Sequence, residues 1–135
     1  MKRFIILTAA ALLLIPAAFA QEQETPKMDK RNLVVKEWNT DAKGNRKVLD
    51  HVTTFNADGK KVEEIEYTTD GQKWRKRFEY DQNGKVSREL VYDYRNRLQT
   101  YKKFEFNELG KKKIQYTYNA KGKLIGIKQY EYIAQ

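Results

Sequence analysis

The sequence predicts an all-β protein, an antiparallel meander of about eight strands built from tandem β-hairpins. Such a long sheet is expected to twist or curl strongly, as a half-pipe or an open barrel. Three observations carry this reading. A six-residue unit recurs (an aromatic, Asn or Asp, two free residues, Gly, Lys), the aromatics that open it are evenly spaced, and apolar residues alternate with charged ones between copies.

The first twenty residues stand apart. Met1-Lys2-Arg3 is basic, Phe4 to Ile15 is an apolar run broken only by Thr8, and Ala18-Phe19-Ala20 precedes polar Gln21. That pattern predicts a secretory signal peptide over 1–20, cut between Ala20 and Gln21. The run is shorter than the ~20 residues of a membrane-spanning helix and no later run matches it, so no membrane span is expected. Lys2 and Arg3 leave with the peptide, giving 25 basic and 18 acidic residues in the remaining 115, net +7. With no cysteine, the chain has neither disulfide staples nor the lipid-bearing residue of a bacterial lipoprotein. The expectation is an exported protein, periplasmic or extracellular. Residues 21–31 (QEQETPKMDKR) are polar and without period, and predict a flexible leader or an arm that orders only against the body. Residues 32–135 form the hairpin repeat domain.

Four turn units are complete: Phe55 to Lys60, Tyr80 to Lys85, Phe106 to Lys111 and Tyr118 to Lys123. A fifth, Tyr92 to Arg97, has Asn96 where Gly is expected, and Asn is the next most tolerant residue of a left-handed backbone. Trp38 to Arg46 and Tyr67 to Lys73 are looser versions. In such a loop the Asn or Asp side chain bonds backbone two residues on, a type I turn follows, and Gly takes positive φ to rejoin the strands. Seven turns imply eight strands. Trp74, Lys76, Phe78 and Tyr80 share one face by period two, as do Val86, Arg88, Leu90 and Tyr92. The reading places both sets, with Phe104, Tyr116 and Tyr130, on a single apolar face. Val62 has the wrong parity for its strand, which predicts a bulge there.

The [FY]-[ND]-x-x-G-[KR] unit, best seen in Phe78-Glu79-Tyr80-Asp81-Gln82-Asn83-Gly84-Lys85, resembles the YD-type β-hairpin repeats of bacterial secreted and surface proteins. The whole is similar to short exported bacterial domains of unknown function. The resemblance covers most of residues 33 to 132 and implies an exported β-meander. It implies no catalytic residues, and large YD shells need many more repeats to enclose a cargo.

The available chemistry is narrow. After Gln21 there is one Ser (Ser87), one His (His51) and no Cys, so a Ser-His-acid site would need two side chains from separate strands to meet. One His without Cys cannot supply a zinc or iron site. Asp81-Gln82-Asn83-Gly84 begins like a calcium loop, but Lys85 puts a cation where oxygen ligands should continue. Glu63, Glu64, Glu66, Glu79, Glu89, Glu105 and Glu131 lie among Lys and Arg, which hold them ionised rather than ready to act as acids. No enzyme and no cofactor are expected.

One feature remains, a cationic row across the aromatic face. Trp74, Lys76, Phe78, Arg88, Lys102, Tyr116 and Tyr130 form the candidate binding set, with Lys128 beside it. Rings would stack on sugars or chain residues, while the ammonium groups and the Arg88 guanidinium would bind carboxylate or sulfate. This predicts a non-catalytic binding module for an anionic glycan, an envelope polymer or a protein partner. Nucleic acid fits the charge but not the export. The alternative is a structural module that buries the same face against a second copy, as a homodimer.

Overall fold

The computed structural model describes residues 25–135; the expected signal peptide and its cleavage site lie outside them. The chain forms eight strands: β1 (Val34–Thr40), β2 (Lys47–Phe55), β3 (Lys61–Thr68), β4 (Gly71–Tyr80), β5 (Val86–Tyr92), β6 (Leu98–Phe106), β7 (Lys112–Asn119) and β8 (Leu124–Gln129). They build one sheet in sequence order, each strand antiparallel to the next. No helix occurs among the described residues, and β1 does not meet β8, so the sheet is an open meander.

The turns are built as their chemistry demands. Asn56, Asp81, Asp93, Asn107 and Asn119 each accept, on one side-chain oxygen, the backbone N–H groups two and four residues on. Gly84 takes φ 75° and Asn96 takes φ 60° at the equivalent point, so the amide-bearing side chain does stand in for glycine there. Loops at one end also interlock: Lys60 Nζ donates to the Gly84 carbonyl at 2.6 Å, and Tyr80 OH donates to the Lys61 carbonyl at 2.5 Å. The leader uses the same contact. Lys30 lies against Gly59 with its ammonium 5.5 Å from the Phe55 ring centre, and Asn32 N–H donates to Asn56.

The bulge expected at Val62 is present, and it is one of seven. Every hairpin skips one residue of its second strand: Asp50, Val62, Lys73, Ser87, Gln99, Lys113 and Ile125. This overturns the single apolar face. Tyr80 does stand opposite Val86, but the bulge at Ser87 reverses the alternation, so Phe78 faces Glu89 and Lys76 faces Val91. Leu90, Tyr92 and Arg88 fall on the other side, opposite Arg77, Arg75 and Glu79. A one-residue slip moves every later side chain across the sheet.

The layer has almost no interior. Leu90 alone is buried, at 8 % exposure, among the described residues. Long side chains take the place of a second layer. Eleven cations sit over rings among the described residues, and their aliphatic stems cover apolar surface.

Candidate functional site

Register sorts the seven candidate residues onto two faces. Trp74, Lys76 and Phe78 share one with Lys102, Phe104, Lys128 and Tyr130, through the pairs Lys76↔Val91, Phe78↔Glu89, Glu89↔Lys102, Phe104↔Gln115 and Gln115↔Lys128. Arg88 and Tyr116 lie on the opposite face, which holds Leu90, Tyr101, Tyr118 and Ile127. Five of the seven are thus brought together and two are not.

Arg88 is also committed elsewhere. Its guanidinium makes two bonds to Glu79, at 2.9 and 2.8 Å. That pairing holds the Glu79 carboxyl below its ordinary range and the Arg88 pKa above its own. Tyr116 OH donates to Glu105 at 2.9 Å, a bond that raises the phenol's pKa. Neither side chain offers a spare group to the Trp74 face.

On that face the cations form a row of sequence period 26: Lys76 on β4, Lys102 on β6, Lys128 on β8. Four of the rings nearby are capped. Lys76 Nζ lies 4.9 Å from the Trp74 ring centre, Lys61 Nζ 4.8 Å from Phe78, Lys112 Nζ 4.4 Å from Phe104 and Lys128 Nζ 5.9 Å from Tyr130. Rings covered by ammonium groups do not stack on sugars or bases. They orient cations instead, and the surface presents charge.

Charge balance divides the sheet. Residues 25–97 hold 17 basic and 13 acidic side chains, and all nine carboxylate contacts at ion-pair distance fall there, two of them to His51. Residues 98–135 hold eight lysines and three glutamates, and no ion pair among the described residues reaches them. Lys112 and the paucity of acids in this half escaped the reading by strand parity. A 26-residue alignment of the repeats would have exposed both.

Two other places gather titratable groups. His51 lies between Glu37 and Glu64, 2.8 Å and 3.2 Å away, with Trp74 edge-on at 6.0 Å. Ser87 is three strands off on β5, so the Ser-His pair does not assemble. A shallow hollow of about 420 Å³ between the β1–β2 loop and Tyr67 contains Asp41, Asp50 and Arg46, and no cluster of metal-ligating side chains occurs among the described residues. No family model matches the chain, and no curated protein matches it either.

Proposed function

We propose that the protein is an exported, non-catalytic binding module of YD-like hairpin type, whose ligand is an anionic polymer held on the lysine-bearing Trp74 face of β6–β8. One observation carries this reading: among the described residues no carboxylate lies at ion-pair distance from any of the eight lysines between Leu98 and Gln135, while rings hold several of them in place. Unpaired cations repel one another and cost stability unless a counter-charge arrives, so the concentration of five of them on three adjacent strands, with three more in the turns, favours an external anion. The test is retention of the mature protein on heparin-agarose against neutral dextran. Salt-sensitive retention on the first alone is expected, and equal behaviour on both would refute the reading.

A second reading, self-association, is favoured by the edges. Among the described residues β1 and β8 each leave one backbone edge unpaired, and Val34, Leu124, Ile125 and Ile127 are half exposed on them. Such edges template further strands. Light scattering across a concentration series separates the readings: a constant monomer mass removes this one.

A further inference from the structure

The cationic row repeats with a partner, and the partner changes once. Glu64 stands directly opposite Lys76, and Glu89 directly opposite Lys102. In the third copy the residue opposite Lys128 is Gln115. The three partners occupy one structural position, since Thr53↔Glu64, Phe78↔Glu89 and Phe104↔Gln115 are equivalent pairs in successive hairpins. The acid that stands opposite the lysine in the first two copies is therefore an amide of the same shape in the last.

Packing does not explain the change. Gln115 touches the Tyr130 hydroxyl at 3.4 Å, a contact that a carboxylate would accept better. Opposite charges across a strand pair stabilise, so glutamate there would help the fold. A second departure lies beside it. The residue after the bulge carries a side chain in six hairpins (His51, Glu63, Trp74, Arg88, Thr100, Ile114), so the bulge does not require glycine. In the seventh it is Gly126, whose Cβ would meet only Thr117 at 3.9 Å. The ground between Lys102 and Lys128, at Gln115 and Gly126, is thus left without acid and without bulk, Glu89 lying on the far side of Lys102.

We infer that Lys102, Gln115 and Lys128, floored by Thr117 and Gly126, form an anion subsite for the sulfate or carboxylate groups of an acidic polysaccharide. The amide donates a neutral N–H where a carboxylate would repel the ligand, and the missing side chain lets the polymer approach the sheet. Export, part of the proposed function, favours a glycan over nucleic acid as the source of those anionic groups. This inference rests on the proposed binding function and localises it.

The test is Gln115→Glu, with Gln82→Glu in the exposed β4–β5 loop as a variant of equal net charge. Affinity for dextran sulfate and for a polyuronate is measured at low salt by titration, beside a melt of each protein. Gln115→Glu is expected to melt no lower than the parent and to bind about tenfold more weakly, while Gln82→Glu stays within about twofold. Equal losses would make net charge the cause, and no loss in either would leave the amide without a role; both overturn the subsite while the general reading stands. If the parent itself binds neither polymer, both readings fall. A tighter hold on oligo(dT) than on the glycans at matched salt would overturn the glycan as ligand.

Discussion

The two parts of this sheet solve the same folding problem with different electrostatics. In β1–β5 five of the eight strand cations meet an acid: Arg75 with Glu63, Arg88 with Glu79, Lys76 with Glu89, Lys61 with Glu64 and Lys73 with Glu66. In β6–β8 the strands, turns and bulges recur unchanged, yet the lysines stand over Tyr and Phe without acids. The backbone plan thus does not need the charge pairing. What differs between the halves is surface chemistry, and surface chemistry is where function must be sought in a layer with one buried residue.

The largest expected effect tests the shared backbone plan. Gly84→Val forces a β-branched residue to φ 75° and places Cβ 2.6 Å from Lys60 Nζ. A loss of about 1–3 kcal/mol is expected. Asn96→Gly relieves the same φ but gives up the amide oxygen that accepts from Gln72 at 2.8 Å, so it should stay within about 0.5 kcal/mol of the parent. Chemical denaturation separates them, and similar losses at both sites would break the assignment of the turn.

Next comes the contrast itself. Arg88→Glu sets a second carboxylate against Glu79 and should cost about 1 kcal/mol, discounted for the exposure of the pair, while leaving polysaccharide retention intact. Lys128→Gln should do the reverse, changing stability by under about 0.3 kcal/mol and weakening retention. Were Arg88→Glu to abolish retention in a folded protein, the division into two faces would be wrong.

The smallest effect is on pH dependence. Glu79 is held below its ordinary range first by the Arg88 hydrogen bond, and Asp93 first by the backbone N–H of Arg97. A folded pKa below the unfolded one means that their contribution is whole only above about pH 5, clear of the unfolded values, and is lost as pH falls through the depressed ones. Melting temperature should therefore drop on acidification, and Glu79→Gln should flatten part of that slope. An unchanged slope in that variant would show that the Arg88 pairing contributes nothing.

Much of the fold was legible in the chain. The aromatic-Asx-x-x-Gly-Lys units locate the loops, because few other residues supply the side-chain acceptor and the positive φ together. Val62 betrayed its bulge, since an apolar residue out of phase is visible. The bulges at Ser87, Gln99 and Lys113 were not, because polar residues carry no mark of the face they occupy, and each hidden bulge flips the strand beyond it. That is why Arg88 and Tyr116 were grouped with Trp74. Gln115 became visible only through register, which aligns it with Glu64 and Glu89.

The central claim is that the lysines of β6–β8, rather than the total charge, hold a polyanion. Two triple variants test it at equal net charge: Lys102→Gln, Lys112→Gln, Lys128→Gln in one, and Lys61→Gln, Lys73→Gln, Arg97→Gln in the other. Their salt-dependent retention on heparin-agarose is compared with the parent. The first set should elute with the void and with a flattened salt dependence, and the second should elute close to the parent. Equal loss in both, or greater loss in the second, would contradict the account.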